Sequence, residues 1–184
     1  MIIEKHLIII PGLGDDHPAY DLSASLFKKR GYTVHIPLIQ WKESPSTFSE
    51  KKNQLLSLVD SLQGDIYVLG ISAGGPVALS LFAERKEHVR RVVTLCSPYT
   101  YQYDHEGTLL GRALSELAPS LSHLSSRYGD ILSYHGFFDA TVWTSLSRYP
   151  DIDDKTIPFF IHALTIFLGL TLYVSSIDRF FVKK

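Results

Sequence analysis

Residues 68–75 read Val68-Leu69-Gly70-Ile71-Ser72-Ala73-Gly74-Gly75. An apolar run, Asp65-Ile66-Tyr67-Val68-Leu69, stops at a glycine, and a helical run from Val77 to Phe82 begins just beyond the last one. With Gly and Ser each near 7% of residues, a random chain of this length matches G-x-S-x-G with odds of roughly one in fifteen. The pattern alone therefore says little, and its setting says more. A buried strand, a tight turn and a helix follow one another without a spacer. Only hydrogen side chains fit such a turn at Gly70 and Gly74, and the turn lifts the Ser72 hydroxyl clear of the strand. Free N–H groups and the positive dipole end of the following helix favour negative charge developing beside that hydroxyl. The plainer reading is a serine that caps a helix after a glycine-rich turn.

Outward from this stretch the chain alternates between two patterns. Apolar strands are expected at His6–Ile10, Tyr32–Ile39, Asp65–Leu69, Val89–Cys96, Ile131–Tyr134 and Thr156–Ile161. Helices are expected at Ala19–Lys29, Thr47–Leu62 and Ala73–Glu84, the first two ending near Gly31 and Gly64. Strands that read as continuous apolar runs, separated by helices, indicate an α/β protein whose mainly parallel six-stranded sheet is covered on both faces. Ligands of such sheets bind at the carboxyl ends of the strands. Between the fourth and fifth strands, 99–129 carries Leu110, Leu114, Leu117, Leu121 and Leu124 at helical spacing. This short insertion either covers the sheet or presents leucines to a substrate, and Tyr99, Tyr101 and Tyr103 stand where they would line a pocket.

Composition narrows the function. The 184 residues are 45% hydrophobic and carry a net charge of −1, from 18 basic and 19 acidic residues without a basic stripe. One domain spanning 1–184 is expected, and nucleic-acid binding has no electrostatic support. The single cysteine, Cys96, precludes a disulfide within the chain and any multi-cysteine metal site; it reads as a small buried hydrophobe. A cytoplasmic location is the default. The uncharged run Ile157–Val174 has 18 residues, which as one helix would reach roughly 27 Å, close to a membrane core of about 30 Å. Pro158, His162 and Gly169 interrupt it, so a buried strand followed by a helix is expected in place of a membrane span.

A nucleophilic serine needs a base, and the base needs an orienting carboxylate. Here the chain resembles the α/β-hydrolase superfamily, and within it the small, capless lipases and esterases. The resemblance rests on Gly70-x-Ser72-x-Gly74 in its strand–turn–helix setting, on Pro11-Gly12-Leu13-Gly14 after the first strand, and on Gly136-Phe137-Phe138-Asp139-Ala140-Thr141-Val142 after the fifth. It implies a three-layer α/β-hydrolase fold and a triad in the order serine, acid, histidine. By that order the triad is Ser72, Asp139 and His162, since no other histidine follows Asp139. The backbone N–H groups of Leu13 and Ala73 are then the oxyanion-hole donors. Two departures stand out: Pro11 replaces a frequent histidine, and Phe160-Ile161 precede His162 where glycines are common. Plainer roles are a core histidine for His162 and a helix cap for Asp139. Asp151, Asp153 and Asp154 look like a solvated turn before the last strand. Asp15-Asp16-His17 caps the first helix or lines the site mouth, and His135 reads as a strand-end residue.

The implied activity is hydrolysis of a small-molecule carboxylic ester through an acyl-enzyme, with no metal or cofactor. Six strands leave little room for a large cap, so small or medium acyl groups and a fairly open site are expected. A histidine base implies a rate that rises with pH through the ordinary histidine range, near 6.5. A thioesterase or acyltransferase with the same triad, and a non-catalytic binding protein on the same fold, remain alternatives.

Overall fold

The computed structural model describes residues 3–14, 17–41, 47–99, 109–121, 124, 127–139, 141–142, 151–159 and 161–183. In chain order these form β1 (Lys5–Ile10), α1 (Ala19–Lys28), β2 (Tyr32–His35), α2 (Phe48–Ser61), β3 (Asp65–Ile71), α3 (Gly74–Glu84), β4 (Val89–Leu95), α4 (Leu109–Leu121), β5 (Ile131–Gly136), β6 (Asp153–Ile157), α5 (His162–Thr171) and α6 (Val174–Phe181). The six strands make one sheet in the order β2-β1-β3-β4-β5-β6, with every neighbouring pair parallel.

Alternation along the strands builds two cores from one sheet. In β1, Ile8 and Ile10 face one side while Leu7 and Ile9 face the other; in β3, Ile66 and Val68 oppose Tyr67, Leu69 and Ile71. Helices α2, α3 and α4 cover the first face, and α1, α5 and α6 cover the second. This is the three-layer arrangement expected of strands that are apolar throughout. The chain steps one way from β1 to β2 and the other way to β3, so the carboxyl ends of β1 and β3 flank a topological switch point, where such sheets hold ligands. The pairing of Ile10 with Gly70 sets those two ends level.

Local signals explain several boundaries. Helix α2 starts at a capping box: the Glu50 N–H donates to Thr47 Oγ1 at 3.1 Å, and the Thr47 N–H donates to Glu50 Oε2 at 2.6 Å. Leu114, Leu117 and Leu124 are buried, with Leu117 and Leu124 in the core over the first sheet face, so these two leucines pack against the sheet. Leu110 and Leu121 lie outside the residues whose side chains are described, as do Tyr101 and Tyr103 altogether.

Two strands differ from expectation. β2 ends at His35, four residues early, ahead of Pro37, which cannot donate to a ladder. β6 runs over Asp153–Ile157, not Thr156–Ile161, and so takes in Asp153 and Asp154, which read as a turn. Among the described residues it is the sheet edge, paired with β5 alone, where polar side chains are tolerated, and Pro158 stops the ladder. Asp151 does lie in a turn, with φ +71°.

The uncharged C-terminal run is broken, but not where expected: of its described residues only Ile157 lies in a strand, and a second break falls between α5 and α6. After β6, α5 and α6 meet at a bend of 61°, and no single helix among the described residues is long and apolar enough to cross a membrane. Val174, Ile177 and Phe181 of α6 are buried in the second core, and the Tyr32 hydroxyl ties the helix down by donating to Asp178 at 2.8 Å. Gly169 lets α5 lie close to the sheet: a Cβ there would stand 2.6 Å from the Leu95 methyl groups at the end of β4.

Candidate active site

Ser72 follows the last residue of β3 and precedes α3. Its φ is +51°, the left-handed region that a non-glycine residue enters at a cost of roughly 1–2 kcal/mol. Close packing holds it there. The Ser72 N–H donates to the Leu95 carbonyl at 2.8 Å, and the Ser72 carbonyl accepts from the Gly75 N–H at 3.0 Å. A Cβ on Gly70 would sit 2.7 Å from the Ala78 Cβ and from the Gly75 Cα, and one on Gly74 would sit 2.6 Å from the Pro11 carbonyl oxygen. Both glycines are therefore required by close approach, as the tight turn demands.

The loop after β1 lies against this turn. A Cβ on Gly12 would meet the Ser72 Cβ at 3.0 Å, and the Gly12 N–H donates to the Tyr20 hydroxyl at 3.2 Å. Ala73 is buried at the start of α3 and Leu13 is half exposed on the loop. Neither the Leu13 nor the Ala73 N–H donates to an acceptor among the described residues.

His162 opens α5, across from the serine. Its Nδ1–H donates to Asp139 Oδ2 at 2.6 Å, and Nε2 faces Ser72 Oγ at 3.1 Å; in the neutral ring this tautomer makes Nε2 the acceptor. Asp139 sits in the turn after β5, its side chain 1% exposed against 16% for His162. Its other oxygen, Oδ1, accepts the N–H groups of Thr141 at 2.9 Å and Val142 at 3.0 Å. Burial pushes the Asp139 carboxyl up, but the His162 hydrogen bond, the Val142 N–H, the His162 charge and the Thr141 N–H together hold it below the ordinary carboxylate value. Ser72, His162 and Asp139 thus form one hydrogen-bonded run, although Ser72 and His162 lie 90 residues apart in the chain.

Cys96 belongs to the same neighbourhood, which its apolar context did not reveal. It has φ +51°, is 1% exposed, and its sulfur lies within 4.8 Å of ligand-type atoms of Asp139 and His162. Burial first, and the Asp139 charge second, push its thiol pKa well up. A metal would want a thiolate here, and Asp139 and His162 already use their facing atoms on each other, so the donor set favours a proton relay over metal ligation.

A cavity of about 300 Å³ opens beside Ser72 and His162. Gly12, Leu13 and Gly14 form one wall; His17 just ahead of α1, Tyr20 of α1, Thr141, and Ala163 and Ile166 of α5 form the rest. His17 both lines this mouth and bonds to the start of α1, whereas Asp15 and Asp16 lie outside the described residues. Tyr20, Thr141, Ala163 and Ile166 gave no signal in the sequence, because residues at helical spacing read as core. Tyr99 is not in this cavity. It is buried in the first core, hydrogen-bonded to Thr94, and desolvation pushes its pKa up to about 12. His135 is a buried β5 residue whose Nε2 meets Thr156 Oγ1 at 2.9 Å, apart from the Ser72 run.

No protein-family model matches the sequence, and no curated protein matches it. Solved structures do. One belongs to the metagenome-derived lipolytic enzymes LipS and LipT, with a TM-score of 0.73 and 13% identity, over 100% of this chain and 96% of that one. Another is the monoacylglycerol lipase of Paleococcus ferrophilus, with a TM-score of 0.72 and 12% identity, over 96% and 93%. A third is Est1E from Butyrivibrio proteoclasticus with ferulic acid bound, with a TM-score of 0.73 and 17% identity, over 98% and 88%. The chain has the α/β-hydrolase fold, and in that fold it resembles lipases and esterases.

Proposed function

We propose that the protein is a serine hydrolase of carboxylic esters, working through a triad of Ser72, His162 and Asp139. The observation that carries this reading is the hydrogen-bonded run from Ser72 Oγ through His162 to a buried Asp139, standing at the mouth of a largely apolar cavity. Ser72 Oγ attacks the acyl carbon while His162 Nε2 takes its proton. The negative charge on the carbonyl oxygen falls between the Leu13 and Ala73 N–H groups, each worth about 3 kcal/mol if removed. Collapse breaks the ester bond, and the imidazolium protonates the departing alcohol. Water then yields its proton to His162 and attacks the acyl-serine; the acyl–Oγ bond breaks, the imidazolium returns the proton to Ser72 Oγ, and the acid leaves. Asp139 holds the imidazole in the tautomer that this sequence requires. Neighbours of the same fold that are named as lipolytic enzymes and a monoacylglycerol lipase support an ester substrate.

A fluorophosphonate probe tests the nucleophile. The reading expects stoichiometric labelling of the folded protein that is lost in Ser72→Ala. A folded protein that resists the probe as well as Ser72→Ala does would show an unactivated serine on a binding protein.

A further inference from the structure

The walls of the cavity beside Ser72 are mostly apolar, and one polar group on them has no role in the steps above. The His17 Nδ1 accepts the Ala19 N–H at 3.1 Å. An amide hydrogen is received only by an unprotonated ring nitrogen, so the proton of neutral His17 lies on Nε2. The residue is fixed further by its carbonyl, which accepts the Tyr20 N–H at 3.0 Å, and by an edge-on contact with the Tyr20 ring, centroids 6.3 Å apart. The Nε2–H has no acceptor among the described residues, and the side chain is exposed on the cavity wall. Among the described residues, no Lys, Arg, Asp or Glu lines the cavity. Its volume of about 300 Å³ among the described residues equals that of about ten waters, room for a short chain.

We propose that His17 is a specificity-determining residue: its Nε2–H donates to an uncharged oxygen on the group seated in the cavity, selecting short esters with an ether, hydroxyl or carbonyl oxygen in the chain over plain alkyl esters of equal length. With no cation among the described lining residues, such a donor suits an uncharged acceptor better than a carboxylate. The proposal rests on the esterase reading of Ser72.

The test compares p-nitrophenyl hexanoate with analogues in which oxygen replaces one chain CH2 at each successive position. Rates are normalised to hydrolysis by hydroxide, which removes the intrinsic effect of the oxygen. Wild type is expected to prefer at least one oxygen-containing analogue about fivefold in kcat/KM, mainly through KM, as one neutral hydrogen bond provides. In His17→Phe, which keeps a planar ring without the donor, the ratio falls to about one; His17→Gln restores part of it. Each variant's own hexanoate rate is the reference, so a general loss of activity leaves the ratio readable. The matching chain amides, followed by calorimetry, report the same contact without turnover. No preference in wild type by either readout, or a preference that survives in His17→Phe, overturns the proposal. A His17-dependent preference for an oxygen-containing amide in a protein that hydrolyses no ester would sink the esterase reading and leave the contact standing.

Discussion

Replacing Asp139 by asparagine changes almost no volume and reverses one hydrogen bond. Oδ1 of Asp139 accepts two backbone N–H groups, from Thr141 and Val142, while Oδ2 accepts from His162 Nδ1 at 2.6 Å. In asparagine only the carbonyl oxygen can accept the two backbone hydrogens, so the amide NH2 must face His162. Nδ1 then becomes the acceptor, the imidazole proton moves to Nε2, and the nitrogen that stands 3.1 Å from Ser72 Oγ can no longer take its proton. A carboxylate-to-amide exchange at this place in a triad lowers kcat by about 10⁴, which at 1.36 kcal/mol per tenfold is about 5.4 kcal/mol of barrier. The variant should fold, because its backbone contacts survive. Its stability should carry a pH signature. A carboxyl held below its ordinary value contributes stability that is present above about pH 3.9 and is lost as the pH falls from there through the lower folded value. The stability gap between wild type and Asp139→Asn is therefore full at pH 7 and closes below about pH 4. Turnover of p-nitrophenyl acetate at pH 7.5, with urea unfolding at pH 7 and pH 3, measures both effects. A folded Asp139→Asn protein within tenfold of wild-type kcat would refute the tautomer argument.

Two further substitutions test the turn that carries the serine. Gly70→Ala would drive a methyl group to 2.7 Å from the Gly75 Cα and the Ala78 Cβ, and should cost about 1–3 kcal/mol, seen as a fall of several degrees in Tm. Ser72→Gly should be about 1 kcal/mol more stable than Ser72→Ala, since only glycine occupies φ +51° without strain; at this chain length the difference is about 2–4 °C in Tm, and equal Tm values would show that the turn stores no strain.

The strands that were legible in the sequence are those buried on both faces. β1, β3, β4 and β5 each carry an apolar stretch, Leu7–Ile10, Ile66–Leu69, Val92–Val93 and Ile131–Leu132, because each feeds two cores at once. β6 was misplaced for the opposite reason: an edge strand carrying Asp153, Asp154 and Lys155 has no apolar signature, while the run Ile157–Ile161 beyond Pro158 does. The serine was legible because its turn needs two glycines in a fixed frame; a Cβ on Gly70 would stand 2.7 Å from the Gly75 Cα, and one on Gly74 2.6 Å from the Pro11 carbonyl oxygen. Asp139 and His162 were reached only through a resemblance in chain order, since nothing local in Phe160-Ile161-His162 distinguishes a base from a core histidine. The geometry brings both to Ser72. The remaining surroundings were hidden by ordinary appearance. Cys96 looked like any small apolar residue until its sulfur fell beside Asp139, and Tyr20 and Ile166 carry helical spacing whether they face a core or a cavity.

The central claim is that Ser72 is a nucleophile activated by its partners, and hydrolysis of p-nitrophenyl esters from C2 to C12 by wild type and Ser72→Ala, side by side, tests it most directly. The account predicts turnover by wild type, greatest for short chains, that falls to background in Ser72→Ala, a loss of up to about 10⁶ in kcat. Equal rates from two folded proteins, whether both active or both inert, would contradict it.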